Sequence, residues 1–102
     1  FAEQFSYLLD QLVATEDPMT GGTMLESTVV LWAKELGDGR AHTCTDVPWV
    51  IAGSAGGFFS PGRYLDLAGA TQDGVLTSLA NSFGLELESF GAGSHGPVGV
   101  LR

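Results

Sequence analysis

Positive charge is scarce in this chain. Lys34, Arg40, Arg63 and Arg102 are its only lysines and arginines, against twelve aspartates and glutamates, for a net charge of −8 over 102 residues. The four are scattered and form no stripe that could neutralise successive phosphates, which argues against a nucleic-acid partner. Cysteine is nearly absent as well. Cys44 stands alone, so no disulfide can close within the sequence. No hydrophobic run approaches the ~18 residues of a bilayer-crossing helix, and no signal-peptide pattern is visible. No membrane span is therefore expected. Charged residues make up 16% and apolar ones 44%, the balance of a folded domain rather than a disordered one. The length suffices for one modest core, not two. The surplus of acid fits a solvated exterior, as in many secreted or high-salt proteins.

Glycine is plentiful, at fifteen residues, which marks a chain rich in tight loops. The organising stretch is 28–53, TVVLWAKELGDGRAHTCTDVPWVIAG. Residues 28–32 are β-branched, aromatic or aliphatic without alternation, the pattern of a strand buried on both faces. Residues 47–52 form a second such run, with Pro48 near its start, where a missing N–H is tolerated. Between them lies a polar, glycine-bearing loop holding Glu35, Asp38, Arg40, His42, Cys44 and Asp46. Loops leaving the carboxyl ends of strands in α/β sheets are where ligands usually bind.

Around this centre the chain reads as helix, strand, strand, short strand, helix and tail. Phe1, Phe5, Leu8, Leu9 and Leu12 recur at helical spacing and predict an amphipathic helix, ended before Pro18. A turn at Gly21 and Gly22 follows, then a short approach through Met24 and Leu25. A helix leading into a buried strand is half of a βαβ-type crossover. Residues 53–57 form a flexible glycine turn, and 60–62 a Ser-Pro-Gly turn. Residues 63–67 alternate weakly and predict an edge strand. Thr71 or Asp73 caps a second helix with Val75, Leu76, Leu79 and Phe83 as its buried face, closed at Gly84 by a left-handed residue. Residues 89–102 predict an irregular glycine-rich tail. A start at Phe1, inside a helical pattern and without methionine, reads as a piece of a longer protein. The expected whole is a single partial α/β domain over 1–102 whose exposed strand edges favour self-association.

Several blocks in this order resemble one family. They are FSYLLDQLVAT, GGTMLESTVVLWAKELGDGRAH, VPWVIAGSAGGFFSPGRYL, VLTSLANSFGLELESFG and SHGPVGVL. Together they resemble the C-terminal part of the HXXSHH-motif proteins, a family of unknown function in secreted bacterial proteins. That family is in turn similar to the alkaline phosphatase and sulfatase superfamily. The resemblance implies a three-layer α/β/α sandwich, alkaline-phosphatase-like, and an extracytoplasmic location, periplasmic or secreted. It also implies that the remainder of the domain, with its histidine motif, lies upstream and is this chain's first partner. The superfamily pattern of a histidine and threonine leading to Val-Pro corresponds here to His42, Thr43, Val47 and Pro48. Its strand-end Asp-His-Gly corresponds to the region of Glu35, where Glu35 replaces the aspartate and Leu36 stands in place of the histidine.

By residue type and position, Glu35 and His42 are the best metal-ligand pair. A carboxylate and an imidazole suit zinc, manganese or iron, and an oxygen-rich setting suits magnesium or calcium. Two ligands do not make a site, so others would come from upstream. Equally, Glu35 reads as a strand-end acid bonded to loop N–H groups and His42 as a satisfied polar residue. Asp38 and Asp46 either orient His42 from behind or close turns through their own backbone, and turns are the commoner use. Arg40 and Arg63 are candidate anion anchors, or pair with local acid. Cys44 reads as a buried bystander and His95 as a surface residue. Residues 53–57 lack the lysine of a phosphate-binding loop. Two functions follow as expectations: a metal-dependent hydrolase of phosphate or sulfate esters, or a non-catalytic extracellular binding or assembly domain of the same fold.

Overall fold

The computed structural model describes residues 1–93 and 95–102. In chain order its elements are α1 (Ala2–Ala14), α2 (Met24–Ser27), β1 (Val30–Trp32), β2 (Val50–Ala52), α3 (Gln72–Asn81) and a 3-10 turn, Gly99–Leu101. The chain divides into two compact units, Phe1–Ser54 and Ala55–Arg102, described in turn.

In the first unit α1 ends where the sequence predicts. Thr15 is extended, its hydroxyl donates to the Gln11 carbonyl at 2.8 Å, and Pro18 follows. The chain then folds back on itself. The Asp17 N–H donates to the Gly22 carbonyl and the Gly21 N–H to the Asp17 carbonyl, both at 2.8 Å. Gly21, at φ +74°, supplies the left-handed residue this reversal needs. Thr23 and Glu26 then cap α2 reciprocally. The Thr23 N–H reaches Glu26 Oε2 at 2.8 Å, and the Glu26 N–H reaches Thr23 Oγ1 at 3.4 Å.

β1 and β2 pair antiparallel, with Val30 opposite Ala52, Leu31 opposite Ile51 and Trp32 opposite Val50. Both strands are shorter than expected, and Pro48 lies ahead of β2 rather than within it. Neither is buried on both faces, because each has a single neighbour: Trp32 is 36% exposed and Val50 46%. A parallel neighbour, which a crossover needs, is not found among the described residues. α1 packs on α2, and Phe5 meets Trp32 with ring centroids 5.5 Å apart. The helix face is only partly covered. Phe5, Leu9 and Leu12 are half-buried, whereas Phe1 and Leu8 are exposed.

The second unit holds the two hydrophobic side chains that are buried among the described residues, Phe59 and Leu101. Phe59 packs edge-on against Phe58 at 5.0 Å, and the Arg102 guanidinium lies 4.5 Å from the Phe58 ring centre. Residues 63–67 form no strand. Their alternation has no partner ladder, and Tyr64 is 91% exposed.

α3 also departs from expectation in its buried face. Gly74, Thr77 and Ser78 are buried, Val75, Leu76 and Leu79 are half-buried, and Phe83 is 73% exposed. The physical reason at Gly74 and Ser78 is the C-terminal tail, which lies directly on them. A Cβ on Gly74 would stand 3.0 Å from the Gly96 carbonyl oxygen and 3.3 Å from Val98 Cγ2. Ser78 Oγ accepts the Val98 N–H at 2.8 Å and donates to the Gly74 carbonyl at 3.1 Å. Gly84, at φ +82°, ends the helical turn as predicted. The Asn81 side chain then holds Leu87 by both its N–H and its carbonyl, at 2.8 and 3.1 Å. The tail is irregular up to Val98, then closes as the 3-10 turn that buries Leu101; Ser94 lies outside the described residues.

Candidate functional site

Residues 33–49 link β1 to β2, and their local bonding makes a defined loop. Trp49 Nε1 donates to the Lys34 carbonyl at 3.0 Å, clasping the base. The Gly37 N–H donates to the Thr43 carbonyl at 2.9 Å and the Thr43 N–H to the Asp38 carbonyl at 3.2 Å, which narrows the middle. Asp38 Oδ1 accepts the N–H groups of Arg40 and Ala41 at 2.8 and 3.2 Å. Asp38 is thus a turn-closing residue, fixing the tip with its own carboxylate. Gly37 is required at the neck, since an added Cβ would collide with the Thr45 carbonyl and stand 3.0 Å from that of Asp46.

The predicted ligands occupy this frame without closing a centre. Glu35, Asp38, Arg40, His42, Cys44 and Asp46 are all exposed. Glu35 and His42 make no side-chain hydrogen bond or ion pair among the described residues. Neither is therefore the satisfied loop residue of the alternative expectation. His42 and Asp46 adopt φ +53° and +52°, a left-handed backbone that costs about 1–2 kcal/mol per non-glycine residue. Their types tolerate it better than most. No three of the described His, Cys, Asp and Glu side chains converge to hold a metal ion. The donor types fit a divalent metal, but the donor set present does not make up a centre.

Three expectations outside the ligand pair need correction. Cys44 is exposed rather than buried, as are its neighbours throughout residues 38–46. Arg63 is not a free anion anchor. Its Nε donates to the Ser60 carbonyl at 2.8 Å and its Nη2 to the carbonyls of Leu101 and Arg102 at 3.3 Å, so it fastens the chain end. His95 is exposed as expected but not alone, since its Nδ1 lies 3.0 Å from Asp73 Oδ2.

Asp73 lies in the first turn of α3, where the helix dipole favours an anion. The Thr71 hydroxyl makes no hydrogen bond of good geometry, yet lies close enough to the Asp73 carboxylate to favour its ionised form. That hydroxyl first, and His95 second, hold the Asp73 carboxyl below its ordinary range. Asp17 is a second such carboxylate, 6% exposed in the turn after α1. A hydrogen bond from the Ser27 hydroxyl, then one from the Met19 N–H at 2.8 Å, lower its pKa. Sequence reasoning missed the Thr23–Glu26 box, although Thr-x-x-Glu ahead of a helix is its readable signature. The Asp17–Ser27 and Asp73–His95 pairs join residues 10 and 22 apart, and no local pattern announces them.

No helix among the described residues is long and apolar enough to cross a membrane. In comparisons with known proteins, no family model, no curated protein and no solved structure matches the chain.

Proposed function

We propose that this chain is a non-catalytic binding or assembly module of an extracytoplasmic α/β domain, with an apolar working surface. One observation carries the reading. In the unit Phe1–Ser54 no large apolar side chain among the described residues is buried, while Phe1, Leu8, Val13, Met19, Trp32 and Val50 are exposed. Single exposed apolar residues are ordinary, but an uncovered helix face adjoining an uncovered strand pair marks an interaction surface. In the proposed frame, an alkaline-phosphatase-like three-layer sandwich, these are faces against which other polypeptide packs. The sequence blocks resembling the HXXSHH-motif proteins support both the frame and the location. Leu36, standing where the related enzymes carry a histidine, supports a module without catalysis. Fold alone does not bring activity.

The test is binding of a hydrophobic fluorescent dye to the native chain. Strong dye fluorescence, reduced in Leu8→Glu and Val50→Glu, supports the reading. A chain that unfolds cooperatively and binds no dye sinks it.

A second reading is favoured by one feature, the free and exposed Glu35 and His42 side chains on a braced loop. In it the chain contributes these two residues to a divalent-metal site of a phosphate- or sulfate-ester hydrolase, with Arg40 holding the anion. Elemental analysis of protein purified without chelator, beside the Glu35→Ala/His42→Ala double variant, decides it. Stoichiometric metal lost in a still-folded variant supports this reading; no metal in either protein removes it.

A further inference from the structure

The chain's four lysines and arginines differ in what they are free to meet. Lys34 is exposed, but its carbonyl is held by the Trp49 indole N–H at 3.0 Å. The Arg63 guanidinium is committed to the carbonyls of Ser60, Leu101 and Arg102, and that of Arg102 lies over the Phe58 ring. Arg40 makes no side-chain hydrogen bond, ion pair or ring contact among the described residues. It stands at the tip of the loop between β1 and β2, in the segment 38–46, every residue of which is exposed. Its neighbours in the chain are Gly39 and Ala41, and a Cβ added at Gly39 would meet nothing within 4 Å. No bulky group crowds the bonds on either side of Arg40.

The hydrogen bonds that shape the tip stay within it. Thr43 bonds through its backbone to Gly37 and Asp38, and Asp38 Oδ1 holds the N–H groups of Arg40 and Ala41. Opening these bonds frees an extended segment without unwinding a helix or parting β1 from β2. It also relieves the left-handed backbone of His42, at φ +53°. Exposed loop tips of small and polar residues are where proteases nick folded chains. We propose that the Arg40–Ala41 bond is a processing site for a trypsin-type endoprotease, whose specificity pocket presents a carboxylate to arginine. One water adds across the bond: its oxygen completes a carboxylate on Arg40, and the Ala41 nitrogen becomes a free amine. The two pieces stay together, because several contacts of the first unit span the cut. β1 pairs with β2, Trp49 clasps Lys34, and the Ser54 hydroxyl donates to the Glu26 carbonyl at 2.7 Å. Gly53 sits against the carbonyls of Thr28 and Leu25. Processing thus turns a closed loop into two free ends on an intact unit, with Glu35 and His42 on separate pieces.

The experiment is limited digestion of the native full chain with trypsin, followed by intact-mass spectrometry. The first products expected are 1–40 and 41–102. They should form at least about tenfold faster than any product of cleavage at Lys34 or Arg63, since opening the tip disturbs less structure than opening either of those sites. The two pieces should elute together from a native size-exclusion column and separate in denaturant. Arg40→Gln should abolish the fast cut and Arg40→Lys should retain it. Asp38→Ala, which releases the N–H groups of Arg40 and Ala41, should speed the cut several-fold. A first cut at Lys34 or Arg63 overturns the proposal, as does an Arg40→Gln chain digested as fast as the parent. A cut rate unchanged by Asp38→Ala overturns opening of the tip as the step that admits the protease. Pieces that part on the native column overturn the claim that the unit outlasts the cut.

Discussion

Gly53→Ala should damage the first unit far more than Gly21→Ala, although both glycines are left-handed. Gly53 follows β2 at φ +84°, buried against the backbone that joins α2 to β1. A Cβ there would collide with the Thr28 carbonyl oxygen and stand 2.7 Å from that of Leu25. Gly21, at φ +74°, has nothing within 4 Å of the same position. At Gly21 alanine meets only the left-handed penalty of about 1–2 kcal/mol, offset by up to ~1 kcal/mol of lost unfolded-state freedom. The net is about 1 kcal/mol. At Gly53 the collision adds an overpacking cost of ~1–3 kcal/mol, for a total of about 2–4 kcal/mol. At ~4–8 °C per kcal/mol for a small domain, melting should fall by about 8–32 °C at Gly53 and by about 4–8 °C at Gly21. Trp32 and Trp49, the only tryptophans, both lie in this unit, so thermal denaturation followed by tryptophan fluorescence reports on it alone. A drop at Gly53 no larger than at Gly21 would refute the close approach of the α2–β1 backbone to Gly53.

Two further outcomes are expected. Ser78→Ala leaves the Val98 N–H without its partner beneath the tail, which should cost about 1–3 kcal/mol. Hydrogen exchange should then be faster at Val98 and Leu101 than at the amides of α1; unchanged exchange would show that the tail is held by other contacts. Asp17 should titrate below the ordinary aspartate value of 3.8. A lowered carboxyl contributes stability that is present above 3.8 and lost as pH falls through the folded-state value. Ser27→Ala removes the largest cause of the shift, so carboxyl NMR should find the midpoint moved up towards 3.8. A midpoint at or above 3.8 in the parent chain would contradict the buried turn.

Features set by neighbours in sequence were legible. The end of α1 follows from Pro18, whose ring disfavours helix at the residue before it. The left-handed residue at Gly84 follows from glycine's freedom at a helix end. The two apolar runs do become strands, because β-branched and aromatic residues fit a pleated pair. Asp38 closes its turn because a short carboxylate reaches the N–H groups two and three residues ahead. Less legible was what those elements lie against. Val75, Leu76, Leu79 and Phe83 give α3 a plausible apolar face, yet Gly74, Thr77 and Ser78 are the residues buried, with the tail lying against Gly74 and Ser78.

The sequence by itself determined that α1 and α3 are helical, that the two apolar runs are extended, and which residues crowd the loop between them, but not α2 or the absence of a strand at 63–67. These depend on backbone restriction and side-chain reach over a few residues. Only the tertiary structure decided that the strands pair antiparallel in the register of Trp32 with Val50, and that Glu35 and His42 stay free. It likewise decided that Arg63 fastens the chain end and His95 meets Asp73. Those outcomes depend on which distant segments come together. Strand pairing and through-space hydrogen bonds have no preferred sequence separation, so a local pattern carries no record of them.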